Sequence, residues 1–73
     1  MNIAEFNQPV SGNIIRVIDE KGLKQKHVAE KAGYTKQQFN SMLNGRKLIK
    51  PVDIVNIAAT LNVDANELLK KEG

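Results

Sequence analysis

The chain has 73 residues, a length that suits one domain with one small core. It contains no cysteine, which excludes disulfide bonds and thiolate metal sites. Its residues are 41% hydrophobic but only 4% aromatic, so aliphatic side chains must fill that core. The formal net charge is +3, and no apolar run approaches the ~20 residues of a membrane-spanning helix. We expect a soluble, cytoplasmic protein with no membrane partner.

Residues 1–10 mix amides and a proline with scattered apolar residues, and they show no sustained period. We interpret them as an arm that is mostly not helical, in front of a domain that spans residues 11–73. Ile3 and Phe6 of the arm are expected to pack on that domain or on a second subunit.

The predicted first helix begins at Ser11 or Gly12, runs to about Lys21 and ends at Gly22. Apolar residues at three- and four-residue spacing predict its buried stripe: Ile14, Val17 and Ile18. Leu23, in the connection that follows, is expected to insert into the core.

Two short helical patterns then meet at a glycine turn. The second predicted helix begins near Lys24, which is a poor N-cap because lysine offers no acceptor to the free N–H groups. Gly33 can adopt the left-handed backbone that ends this helix. Thr35 and Gln38 form a T-x-x-Q capping box, so a third helix begins almost at once and runs to about Leu43.

Helices joined by so short a turn must cross steeply, and the small side chain of Ala29 permits their close approach. This is the helix-turn-helix arrangement, whose second helix is presented to the major groove of DNA.

A loop follows, in which Asn44 and Gly45 end the third helix and Leu48 and Ile49 are expected to return to the core. Seven basic residues and one acidic residue lie between Leu23 and Lys50, whereas the rest of the chain has four basic and seven acidic residues. Basic charge is therefore concentrated where a polyanion-binding face requires it.

The fourth predicted helix begins at Pro51, whose missing N–H costs nothing at the first position. Its apolar stripe comprises Ile54, Ile57, Ala58 and Leu61. Asn62 is expected to cap it in the left-handed conformation. The fifth helix runs from Asp64 to about Lys70, with Asp64 and Glu67 as a capping box, and with a hydrophobic staple formed by Val63 and Leu68.

Three spaced motifs occur in this order: Gln25-x-x-x-Ala29-x-x-x-Gly33, Phe39-x-x-Met42-x-Asn44-Gly45, and Ile57-Ala58-x-x-Leu61-x-Val63-x-x-x-Glu67-Leu68. With them the chain resembles the lambda-repressor-like, Cro/C1-type (Xre) DNA-binding domains over roughly Gly12 to Leu69. The resemblance implies an all-α fold of five helices, of which the second and third form the helix-turn-helix.

The resemblance also implies the contacts to DNA. Four residues of the third helix would face the bases: Lys36, Gln37, Asn40 and Ser41. Amide side chains pair with an adenine edge and lysine reaches guanine acceptors, so these residue types suit base reading. Five residues would contact the DNA backbone: Gln25, Thr35, Arg46, Lys47 and Lys50.

One pair of positions departs from the family. Many relatives carry an arginine where this chain has Ile18 and an acidic residue where it has Leu43. Because both are aliphatic here, we expect that they touch, so that apolar burial replaces a desolvated ion pair.

Other polar residues have ordinary interpretations. His27, the sole histidine, is expected to be exposed and to bind no metal, and Asp19 and Glu20 form a surface pair rather than an acid–base couple. Tyr34 either packs under the turn or donates a hydrogen bond to a phosphate. We therefore predict no enzymatic activity, no cofactor and no metal site.

The predicted function is a sequence-specific transcriptional regulator, acting as a repressor and binding double-stranded DNA as a homodimer on a palindromic operator. The dimer surface is expected around the connection between the fourth and fifth helices and on the last helix. The alternative is an antitoxin-type or other protein-interaction module, whose partner would be a toxin or another regulator. For residues 1–10, a minor-groove arm is the alternative to packing, but the absence of Lys and Arg disfavours it.

Overall fold

The computed structural model describes residues 2–71, so Met1 of the predicted arm and Glu72 and Gly73 of the predicted domain lie outside the described residues. Over that range the backbone forms helices and no strand. The six helices are α1 (Ile3–Asn7), α2 (Val10–Glu20), α3 (Gln25–Ala32), α4 (Lys36–Leu43), α5 (Pro51–Leu61) and α6 (Ala65–Leu69). The all-α class is confirmed, with one helix more than the five expected.

The additional helix, α1, lies in the segment that we predicted to be mostly non-helical. It forms because the side chain of Asn2 accepts a 2.9 Å hydrogen bond from the Glu5 N–H and thereby caps the first turn. The helix has only five residues, too few for a periodic pattern to show in the sequence. Phe6 is 60% exposed and is not packed on the rest of the domain, so its packing on a second subunit stays a prediction.

The core lies between α2 and the four helices that follow it. Its members are Val10, Ile14, Val17, Ile18, Val28, Ala29, Phe39, Met42, Leu43, Ile49, Ile57, Ala58, Leu61 and Leu68. The predicted stripes of α2 and α5 are confirmed, with Ile54 partly buried at the edge. Burial of these aliphatic side chains is the main source of stability.

Two leucines expected in the core lie at the surface instead. Leu23 is 44% exposed, because its N–H closes the end of α2 on the Ile18 carbonyl at 2.9 Å and its side chain lines a shallow surface hollow beside His27. Leu48 is 42% exposed, and only its neighbour Ile49 returns the loop to the core.

Most predicted helix ends are confirmed. Gly33 has φ +86° and Asn62 has φ +59°, the left-handed conformation that ends α3 and α5. Asp64 caps α6, but through a 2.8 Å bond from the Asn66 N–H, so the predicted box with Glu67 is wrong. The Glu67 carboxylate lies 2.9 Å from the Lys70 ammonium instead.

The last helix is tied to α2 by a buried amide. The side chain of Asn13 is 1% exposed and donates to the carbonyls of Leu68, at 2.8 Å, and Lys70, at 2.7 Å. The far end of the chain is thereby closed onto the helix that precedes the helix-turn-helix.

Candidate nucleic-acid interface

The turn between α3 and α4 is built as the sequence predicted. Gly33 takes the left-handed backbone, and the Tyr34 N–H returns to the Ala29 carbonyl at 2.9 Å. The Thr35 hydroxyl accepts from the Gln38 N–H at 3.0 Å, while the Gln38 side chain accepts from the Thr35 N–H at 2.9 Å. Both bonds of the capping box are present, so two of the free N–H groups at the start of α4, those of Thr35 and Gln38, are satisfied.

The helix α4 has one face in the core and one face in solvent. Its buried side chains are Phe39, Met42 and Leu43. Three of the four predicted base-reading residues, Lys36, Gln37 and Asn40, are exposed, and the fourth, Ser41, is half-buried. The structure therefore brings the predicted reading residues together on the outer side of a helix that is fixed from behind.

Tyr34 lies under the turn and connects it to α5. Its hydroxyl donates a 2.7 Å hydrogen bond to Asp53, and its ring stacks on Phe39 with centroids 6.1 Å apart. The amide of Asn56 donates to the Ala32 carbonyl at 2.8 Å and to the Tyr34 hydroxyl at 3.3 Å. Of the two interpretations of Tyr34, packing under the turn is the one observed.

This environment changes the acidity of the tyrosine. Burial raises the pKa of the Tyr34 hydroxyl above its ordinary value of 10.0, and the hydrogen bond to Asp53 raises that pKa further. The phenol is therefore held in its protonated, hydrogen-bond-donating form.

The segment from Asn44 to Lys50, hereafter the basic loop, leaves α4 through Gly45 at φ +77°. The Ser41 carbonyl accepts from the N–H groups of Arg46, at 2.8 Å, and Lys47, at 3.1 Å. The loop ends at Lys50, whose N–H donates to Asp53 at 3.0 Å. Its three basic side chains are exposed: Arg46, Lys47 and Lys50.

A residue that sequence reasoning missed lies behind this loop. Asn7, at the end of α1, is 2% exposed and makes three 2.9 Å hydrogen bonds, donating to the carbonyls of Met42 and Lys47 and accepting from the Ile49 N–H. The sequence did not indicate this role, because the partners of Asn7 lie 35 to 42 positions away along the chain. Asp53 and Asn56 were missed too, because their partners lie outside their own helix.

Among the described residues, no side chain caps the first turn of α3. Lys24 precedes it without a side-chain hydrogen bond to the helix, as predicted from its lack of an acceptor, and Gln25 is exposed. Contact of Gln25 with a phosphate stays a prediction.

The charges around this surface are largely uncompensated. All seven basic side chains between Leu23 and Lys50 are exposed, and within residues 2–71 none of them takes part in an ion pair. The ion pairs lie on α2 and around α6 instead, where Lys70 and then Arg16 lower the pKa of Glu67. A surface with seven basic side chains against one acidic residue, Glu30, attracts a polyanion.

The single histidine does not belong to a cluster of ligating side chains. His27 is exposed, and the part of the chain that the structure describes contains no group of three ligating side chains that could hold a metal ion. None of the helices between residues 2 and 71 has the length and apolar content needed to cross a membrane.

Comparison with known proteins agrees with this geometry. A family model described as a helix-turn-helix domain matches residues 18–69. The fold is similar to the crystal structure of the restriction-modification controller protein C.AhdI from Aeromonas hydrophila, with a TM-score of 0.73 and 23% sequence identity over 90% of each chain. No curated protein sequence matches the chain.

Proposed function

The chain belongs to the helix-turn-helix domain family, and from that premise we propose that it is a non-enzymatic transcriptional regulator that binds double-stranded DNA in a sequence-specific manner. The observation that carries the proposal is the outer face of α4, where Lys36, Gln37 and Asn40 are exposed together. Its place of action is the cytoplasm.

Base reading follows from the residue types on that face. The amides of Gln37 and Asn40 each offer a donor and an acceptor, which match the edge of adenine, and Lys36 reaches the acceptors of guanine. Ser41, half-buried at the rim, adds a hydroxyl that reads either base. One good bidentate pair contributes about 1–3 kcal/mol of discrimination.

Backbone contacts would set the register of α4 in the groove. Gln25, at the start of α3, and Thr35, the N-cap of α4, are exposed, and the basic loop after α4 supplies three exposed cations: Arg46, Lys47 and Lys50. Such contacts position the protein without reading sequence, and they make the affinity dependent on salt.

A homodimer would double the number of bases read. Two copies on a palindromic operator would place their α4 helices in major grooves one helical turn (~34–36 Å) apart. The connection between α5 and α6 and the helix α6 are the proposed contact, supported by Leu69, which is 47% exposed there. Occupying an operator in this way would make the protein a repressor.

The experiment is selection of duplexes from a random pool, followed by binding measurements on the enriched sequence. We expect a palindromic motif. We also expect the variant Lys36→Ala/Gln37→Ala to bind it with an affinity at least tenfold lower, because the loss of one base-reading contact by itself lowers affinity about tenfold. The matched control is Gln8→Ala/Lys71→Ala, which removes the same two exposed side-chain types from a surface hollow that no residue of α4 lines.

Wild-type affinity in the Lys36→Ala/Gln37→Ala variant would overturn the proposal. The proposal would also be overturned if no sequence were enriched while both double variants bound a toxin or another regulator tightly. That second result would assign the alternative function, a protein-interaction module that uses the same fold.

A further inference from the structure

We propose that Asn7 is a positioning residue for DNA binding: from behind, it fixes the basic loop in the conformation that presents Arg46 and Lys47 to the phosphates. The inference rests on the proposed function and adds α1, which lies outside the helix-turn-helix, to the DNA-binding apparatus. Asn7 itself is 2% exposed, so it acts through the loop and not by touching DNA.

The three hydrogen bonds of Asn7 reach three separate points. Both hydrogens of its amide nitrogen are used, one on the Met42 carbonyl in the last turn of α4 and one on the Lys47 carbonyl within the loop. Its amide oxygen accepts from the Ile49 N–H, near the end of the loop. A single side chain therefore joins the reading helix to the middle and the end of the segment that follows it.

This arrangement holds the backbone of Lys47 from two sides. Its N–H is bound by the Ser41 carbonyl and its own carbonyl by Asn7. The side chains of Arg46 and Lys47 project from this fixed backbone into solvent. A loop that is ordered before binding does not lose that conformational freedom on the DNA, so its phosphate contacts contribute more to affinity.

The amide group is required for this role. Aspartate has the same shape but no donor, and serine has a single donor, so neither can bind both carbonyls while accepting from Ile49. Alanine removes all three bonds without adding a charge, which keeps the electrostatic attraction to DNA unchanged.

The chain contains a matched control. Asn13 is 1% exposed and its amide likewise donates to two backbone carbonyls, those of Leu68 and Lys70, but it fixes the end of α6 and not the basic loop. Asn13→Ala thus removes an equivalent buried amide and destabilises the domain without releasing the loop.

The experiment measures binding of wild type, Asn7→Ala and Asn13→Ala to a fluorescent DNA duplex of mixed sequence over a series of KCl concentrations. We expect Asn7→Ala to bind more weakly, with a slope of log affinity against log salt that is smaller by about 0.9 for each phosphate that the loop no longer neutralises. Asn13→Ala should keep the wild-type slope even if its melting temperature falls as far as that of Asn7→Ala. If Asn7→Ala does not fold, Asn7→Ser is measured in its place, with an intermediate slope expected.

A second readout follows the loop directly. Hydrogen exchange at the Ile49 amide should accelerate in Asn7→Ala more than exchange at the core amides of α2, whereas in Asn13→Ala it should accelerate no more than exchange at those core amides. A wild-type salt slope in Asn7→Ala, or equal slope changes in both variants, would overturn the inference. A wild-type protein without affinity for duplex DNA would instead overturn the proposed function, and this role with it.

Discussion

The hydroxyl of Tyr34 and the carboxylate of Asp53 are joined by a 2.7 Å hydrogen bond that connects the turn of the helix-turn-helix to the first turn of α5. The other oxygen of that carboxylate accepts from the N–H of Lys50, the last residue of the basic loop. Asp53 therefore holds two segments of the proposed interface in a fixed relation. The Tyr34–Asp53 bond joins residues 19 positions apart, so the spacing of the sequence does not reveal it.

The variant Tyr34→Phe tests how much this hydrogen bond contributes to stability. It keeps the ring that stacks on Phe39 but leaves Asp53 with one bond fewer. Because the acceptor is a charged group, we expect the free energy of unfolding to fall by about 1.5–3 kcal/mol. Urea unfolding monitored by circular dichroism measures it, and an unchanged midpoint would contradict the assigned bond.

Alkaline pH should destabilise the protein through the same residue. The pKa of Tyr34 is raised in the folded state, so below its ordinary value of 10.0 the phenol is protonated in both states and the full stability is present. Above that value the unfolded chain loses its proton first, and the free energy of unfolding falls until the folded-state pKa is passed. Urea titrations at rising pH should show a steeper decline for wild type than for Tyr34→Phe, and parallel curves would contradict this.

Removing the cap of α4 should weaken the reading helix. In Thr35→Ala the Gln38 N–H loses its acceptor, which costs about 1 kcal/mol for a typical N-cap. The matched control is Thr60→Ala, because that hydroxyl only returns to the Asn56 carbonyl one turn back within α5. Thermal unfolding should separate the two variants, and equal melting temperatures would argue against the cap.

The aliphatic pair of α2 and α4 gives a prediction for the core. Ile18 is 4% exposed and Leu43 is 9% exposed, both within the same apolar cluster. Ile18→Arg alone should cost about 3–5 kcal/mol, because it buries a charge without a partner. Ile18→Arg/Leu43→Glu should recover part of that stability by supplying the partner. A single variant that unfolds like the parent would show that the two positions do not form a pair.

The ends of the longer helices could be predicted because each depends on a few neighbouring residues. Gly33, Thr35 and Asn62 act through their own backbone or through a partner three residues away. Asp64 was recognised as a cap for the same reason. Its supposed partner Glu67 instead pairs with Lys70, three residues on, and with Arg16 of α2, which no local pattern includes.

Features that depend on distant partners could not be predicted. The short helix α1 is fastened through Asn7 to groups 35 to 42 positions away, which no window of sequence connects. Hydropathy likewise did not distinguish buried Ile49 from exposed Leu48. Gln37 and Asn40 lie on an exposed face because the ~3.6-residue period of a helix turns them away from the core side of α4, while contact of the predicted reading residues with DNA stays a prediction.

The two hydrogen bonds from Asn13 to the carbonyls of Leu68 and Lys70 have a consequence for biosynthesis. As the nascent chain leaves the ribosome, α2 and both helices of the helix-turn-helix emerge before the Leu68 and Lys70 carbonyls that Asn13 binds. The motif is contiguous in sequence, but its tertiary structure is completed only when α6 arrives. We therefore expect a ribosome-bound chain that stops short of Leu68 to be incompetent for its ligand.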